Sequence, residues 1–106
     1  RKKDPGALFP WQRLYENGIG AWYDAADVER LRKTVSEVPS IAEIKSDLSA
    51  YGYAVAITDK EDDLYRAVVM AFQRHFAPQK IDGVMSLENV IILKALLKKY
   101  RPGSAI

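Results

Sequence analysis

Residues 87 to 97, Leu-Glu-Asn-Val-Ile-Ile-Leu-Lys-Ala-Leu-Leu, put apolar side chains around most of a helix's circumference. A helix with one apolar stripe can lie on a surface, but one that is apolar nearly all round has to be surrounded. This segment is therefore expected to be the central helix of a bundle, capped by Ser86 and running to about Tyr100. Lys98, Lys99 and Arg101 suit the negative end of its dipole, and Pro102-Gly103 ends it.

The partners of this helix lie upstream. Ser40-Ile41-Ala42-Glu43 reads as a capping box, followed by Ile41, Ile44, Leu48 and Tyr51 on one face, with Gly52 as the stop. Thr58-Asp59-Lys60-Glu61 reads as a second capping box, with Leu64, Val68, Ala71, Phe72 and Phe76 as the buried stripe and Pro78 as the breaker. The acidic run Asp59, Glu61, Asp62 and Asp63 is expected to be a solvated first turn rather than a metal site. Residues 40–101 thus form a three-helix unit, with a turn at Asp82-Gly83 before the last helix. The fold class is mainly α.

Earlier in the chain the signals are shorter. Pro10 and Gly18 bracket a helix of about two turns over Trp11 to Asn17, with Trp11, Leu14 and Tyr15 on one face. Asp24 is placed to cap a short helix over Ala25 to Lys33, and residues 25–39 read as a connector with partial helix. Of the 106 residues, 48% are apolar and 28% charged, and the formal net charge is +2. Residues 37–106 hold nine basic and nine acidic side chains, a balance poorly suited to the phosphate neutralisation of nucleic-acid binding. No cysteine is present, which excludes disulfides and thiolate metal sites. No stretch approaches the ~20 apolar residues of a membrane span.

The first eleven residues, Arg-Lys-Lys-Asp-Pro-Gly-Ala-Leu-Phe-Pro-Trp, contain the chemistry. Pro5 pushes Asp4 into an extended conformation and Gly6 frees the next turn, so the carboxylate sits on a stiff corner. Beside two lysines, such a carboxylate suits a metal ligand near a cation that holds a substrate carbonyl. It equally suits a plain Asp-Pro-Gly turn on a basic surface.

That run, continued by Gly18-Ile19-Gly20-Ala21-Trp22, resembles the last catalytic segment of zinc-dependent N-acetylmuramoyl-L-alanine amidases, enzymes related in fold to the peptidoglycan-recognition proteins. The resemblance implies that residues 1–24 end an α/β amidase catalytic domain, that Asp4 is a zinc ligand, and that Lys2 polarises the scissile carbonyl. It implies zinc as cofactor, with its histidine ligands upstream of Arg1 in a catalytic segment that this chain lacks. The only histidine, His75, lies among phenylalanines on a helix and is expected to be a structural residue. On its own, the chain is expected to be inactive.

A second resemblance is carried by Ala71-Phe72-Gln73-Arg74-His75-Phe76, Ile81-Asp82-Gly83 and Tyr51-Gly52-Tyr53. These resemble the signature of three-helix peptidoglycan-binding domains. Many members have Gly-Pro-x-Thr after the Asp-Gly, whereas Ser86-Leu87-Glu88-Asn89 stands here, so no glycan-binding residue is assigned. Together the two resemblances imply the C-terminal part of an amidase that cleaves between N-acetylmuramic acid and L-alanine. Its partners would be peptidoglycan or muropeptides, with neither nucleic acid nor a membrane span within this chain. The implied location is the periplasm or cell envelope, with an outer-membrane anchor in an upstream segment or a cytoplasmic location as open alternatives. A non-catalytic peptidoglycan-binding module is the alternative function, and a small nucleic-acid-binding bundle is a third.

Overall fold

The computed structural model describes residues 22–100. Its elements are α1 (Ala25–Thr34), α2 (Ile41–Tyr51), α3 (Asp63–Phe76) and α4 (Leu87–Tyr100). Among the described residues there is no strand. The Asp4 corner, Lys2, the expected helix over Trp11 to Asn17 and the Pro102-Gly103 stop lie outside the described residues.

The all-round apolarity of α4 is matched by its position. Val90, Ile91, Ile92, Leu93, Ala95, Leu96 and Leu97 are all buried, and α4 packs against both α1 and α2. From α3, Val69, Phe72 and Phe76 enter the same core, which also contains Ile44 and Leu48 of α2. Phe76 is a junction of aromatic contacts, with ring centroids 5.2 Å from Phe72, 5.6 Å from Trp22 and 6.0 Å from Tyr51. Apolar burial of this kind is the main stabilising term for a small bundle.

Local signals set where the helices begin and end. The Ser40 hydroxyl accepts the Glu43 N–H, as the first capping box requires, while the Glu43 carboxylate accepts from Lys94 of α4. At the other end, Gly52 has φ +132°, a value that L side chains rarely adopt. Gly52 N–H donates to Ser49 O and Tyr53 N–H to Leu48 O, the paired bonds of a Schellman stop. The α4 cap is reciprocal: the Ser86 hydroxyl accepts the Asn89 N–H at 3.1 Å, and the Asn89 carbonyl faces the Ser86 N–H at 3.5 Å.

The start of α3 differs from the sequence reading. The cap is Asp62, whose Oδ1 accepts the Tyr65 N–H at 2.9 Å, not Thr58. The Thr58 hydroxyl instead accepts from Lys45 Nζ at 2.7 Å. Lys45 is only 1% exposed, and its ammonium also lies 3.7 Å from Asp62 Oδ2 and over the Tyr65 ring. Asp59 bonds to the N-terminus of α2, accepting the Ala42 N–H. The acidic run is therefore divided between two helix starts and a buried lysine. With the helix beginning later, Leu64 falls in its first turn and is 55% exposed, while Tyr65 takes the buried position.

The segment before α1 is drawn into the bundle. Trp22 is buried in the core, and its main chain is held by the end of α4. Tyr100 Oη accepts the Trp22 N–H and donates to the Trp22 carbonyl, both at 3.1 Å. Lys99 Nζ donates to that carbonyl and to Asp24 Oδ1. Asp24 begins α1 without a side-chain capping bond, its carboxylate being turned to Lys99.

Lys45 stakes a clear test, because its stem fills core space and its ammonium joins Thr58 and Asp62. Lys45→Ala should lower unfolding free energy by about 2 kcal/mol, with Lys45→Met recovering part of the loss. Urea unfolding showing no difference between wild type and Lys45→Ala would rule out this role.

Candidate functional site

The signature glutamine organises the loop between α3 and α4. Gln73, on the last turn but one of α3, is 1% exposed, and a buried amide has to find partners for both ends. Its Oε1 accepts the N–H groups of Asp82 and Gly83, at 3.1 and 3.0 Å. Its Nε2 faces Asn89 Oδ1 at 2.9 Å, the Val84 carbonyl at 3.0 Å and Asp82 Oδ1 at 3.1 Å. One side chain thus satisfies a turn, a strand-like segment and the cap of α4. Gly83 has φ +76° and a Cβ there would meet only ordinary contacts. It is the conformation that favours glycine here, and not crowding.

Asp82 completes the turn by accepting the Val84 N–H at 3.0 Å. Its carboxyl is held below the usual carboxylate range, first by that N–H and then by the Gln73 amide. The arrangement leaves a cleft of about 280 Å³ beside the loop. Ala77, Val84 and Ile92 give it apolar surface, and Tyr23, Gln79, Lys80, Ser86 and Glu88 give it hydrogen-bonding groups. Val84 is 54% exposed, an apolar side chain at the cleft with no core role.

The charges around the cleft are already paired. Lys80 Nζ lies 3.7 Å from Asp82 Oδ2, and Glu88 accepts from Arg32 of α1 at 3.3 and 2.6 Å. Tyr23 stacks on Trp22 with centroids 4.8 Å apart. Its phenol is pushed up by burial and then by the Glu88 charge, with Arg32 acting in the opposite sense, so it is a neutral hydrogen-bonding group at physiological pH. Apolar surface edged by the uncharged Tyr23, Gln79 and Ser86 and by charges held in pairs suits a carbohydrate, which presents apolar ring faces and many hydroxyls.

Of the residues singled out in the sequence, Gln73, Asp82 and Gly83 come together, and Lys2 and Asp4 lie outside the described residues. His75 stacks on Phe76 at 4.1 Å. Among the described residues, no three His, Cys, Asp or Glu side chains are grouped to hold a metal, and no helix is long and apolar enough to cross a membrane. Sequence reasoning missed Tyr23, Gln79, Lys80 and Glu88. The available signals were the Trp22-Tyr23 pair just before a helix and the two polar residues between Pro78 and the Asp-Gly turn.

Residues 37–88 match the family described as putative peptidoglycan binding domain. By sequence and fold the chain is related to N-acetylmuramoyl-L-alanine amidases. It is 44% identical over 107 residues to N-acetylmuramoyl-L-alanine amidase AmiD of Escherichia coli (strain K12), covering 94% of this chain and 37% of that protein. It matches the crystal structure of AMPDH3 from Pseudomonas aeruginosa in complex with anhydromuramic pentapeptide, with TM-score 0.82 and 42% identity over 94% of this chain and 40% of that one. The complex of AmiD from E. coli with the substrate anhydro-N-acetylmuramic acid-L-Ala-D-gamma-Glu-L-Lys gives TM-score 0.73 and 40% identity, over 94% and 39%. The chain spans about two-fifths of the length of these relatives.

Two outcomes follow for the Gln73 network. Gln73→Leu leaves the Asp82 and Gly83 N–H groups and Asn89 without their buried partner, and should cost at least about 3 kcal/mol in urea unfolding; a loss under about 1 kcal/mol would contradict the network's role. The second concerns acid. Asp82 is depressed below its reference value of 3.8, so its stabilising effect is present above that pH and lost as pH falls through the lower folded value. Asp62, depressed chiefly by the Tyr65 N–H, adds to the same window. Melting temperature should therefore fall steeply below about pH 4 and less steeply in Asp82→Asn; identical acid profiles would exclude Asp82 as a contributor.

Proposed function

We propose that the chain is the C-terminal part of an N-acetylmuramoyl-L-alanine amidase, and that its helical bundle holds cell-wall substrate in the cleft beside the Asp82-Gly83 loop. The reaction is hydrolysis of the amide between N-acetylmuramic acid and L-alanine in peptidoglycan. The observation that carries this reading is the cleft itself. It is built on the Gln73 network, at the end of the stretch that matches the peptidoglycan-binding family. The identity to AmiD, which extends over 94% of the chain, supports the enzymatic part.

Zinc does not fit the donors of these 106 residues alone. A hydrolytic zinc site takes three protein ligands and a water, whereas the chain has one histidine and no cysteine, and His75 packs on Phe76 in the bundle. Asp4 is proposed as one oxygen ligand of a set completed by residues outside this sequence. Lys2 is proposed as the cation that polarises the scissile carbonyl and supports its developing negative charge. The bundle's task is separate from the chemistry: it binds the polymer and keeps it near that segment. With a cell-wall substrate, the periplasm or cell envelope is the proposed location, a cytoplasmic one being the alternative.

The alternative of a non-catalytic peptidoglycan-binding module is favoured by one observation, that residues 22–100 contain the whole matched domain with its own core. The nucleic-acid reading is disfavoured by the cleft, where Lys80 and Arg32 are both engaged by carboxylates.

The 106-residue chain should be retained on insoluble peptidoglycan, and retention should persist at ~0.5 M salt because the cleft offers no free charge. Val84→Glu, at an exposed position, should reduce retention at least about fivefold with unchanged melting temperature. Absence of retention would leave only a bracing role for the bundle. With added zinc, the same chain should release no peptide from muropeptides, and measurable hydrolysis would refute the incomplete donor set.

A further inference from the structure

The cleft is not confined to the residues of the peptidoglycan-binding family. That match covers residues 37–88, yet one side of the cleft is formed by Tyr23, which precedes α1. Tyr23 is held there by its neighbour. Trp22 is buried against Phe76, its main chain is gripped by Tyr100 and Lys99, and the Tyr23 ring stacks on it. The α1 helix makes a second link, since Arg32 fixes the Glu88 carboxylate at the same cleft. The cleft therefore lies on a seam between the family domain and the segment that leads into it.

Among the described residues, Tyr23 has an unused group at this seam. Its hydroxyl has no hydrogen-bond partner among the described residues, and its ring stacks on Trp22. Burial keeps the phenol protonated, so it is available both as donor and as acceptor. An aromatic ring with a free hydroxyl, beside apolar surface from Val84 and Ile92, is suited to packing on a pyranose and bonding its hydroxyl or acetamido group. Among the residues lining the cleft, the acidic Asp82 and Glu88 outnumber the basic Lys80, and all three stand in exposed ion pairs, so the carboxylates of a peptide stem would gain little there.

We propose that Tyr23 is a ligand-contacting residue of a composite cleft that takes the uncharged sugar portion of peptidoglycan rather than its peptide stem. This rests on the reading of the cleft as a peptidoglycan site. It assigns specificity to a residue outside the family domain, so recognition of glycan and docking of the preceding segment share one side chain.

The test is titration of the 106-residue chain, by calorimetry, with three probes: a soluble disaccharide-pentapeptide, the same glycan without peptide, and the free stem peptide. Wild type should bind the first two similarly and the third at least about tenfold more weakly. Tyr23→Phe preserves the stack on Trp22 and should weaken glycan binding about fivefold, with melting temperature unchanged. Tyr23→Ala should weaken it further. If wild type binds the muropeptide and both Tyr23 variants bind it equally well, the composite cleft is overturned while the peptidoglycan reading stands. Binding of the free peptide as tight as that of the glycan overturns the sugar assignment. If wild type binds none of the probes, both the inference and the reading beneath it fall.

Discussion

The Gln73 amide is the interaction on which the functional half of the bundle depends. A loop that turns back between two helices leaves main-chain N–H and C=O groups facing the interior, where each unpaired group is costly. Here a single buried side chain accepts two successive N–H groups and donates to a carbonyl and to the Asn89 cap. Because the same amide touches the end of α3, the turn and the start of α4, the relative position of these elements is set by hydrogen-bond geometry as well as by packing. The cleft takes its shape from that constraint. A polar residue in the core thus provides what apolar contacts do not, a fixed loop conformation.

The departure from Gly-Pro-x-Thr at Ser86-Leu87-Glu88-Asn89 is accommodated by the same network. Ser86 and Asn89 cap one another's main chain, and Asn89 Oδ1 also accepts from Gln73. The substitution therefore keeps the function of a helix cap while leaving Glu88 exposed for pairing with Arg32 of α1. That ion pair is on the surface and contributes little to stability in itself. Its effect is on the electrostatics of the cleft, where it removes a free negative charge.

Much of the architecture was legible because it follows from periodicity. The apolar circumference of α4 dictated a central helix, Gly52 ended α2, and Ser40 and Ser86 capped their helices. The start of α3 was not legible. Thr58 and Asp62 both begin acceptable capping sequences, and what decides between them is Lys45, buried some 13 residues earlier in the chain. Tyr23 was obscured for a similar reason. Its place at the cleft depends on Trp22 being held by Tyr100, 78 residues away, a tertiary contact that no local pattern encodes. Gln73, by contrast, was visible as part of a signature, but only the structure explains why an amide is needed there.

The grip of α4 on Trp22 has a consequence for distance. Asp4 precedes Trp22 by 18 residues, so covalent geometry keeps it within about 65 Å of that anchor, whatever path the chain takes. On the proposed reading, a glycan strand seated in the cleft would be held within that distance of the Asp4 segment. The gain would then be one of local concentration: a polymer held at one end of the chain meets the other end in an intramolecular search. In that sense Tyr100, by gripping Trp22, fixes the point from which the distance is counted.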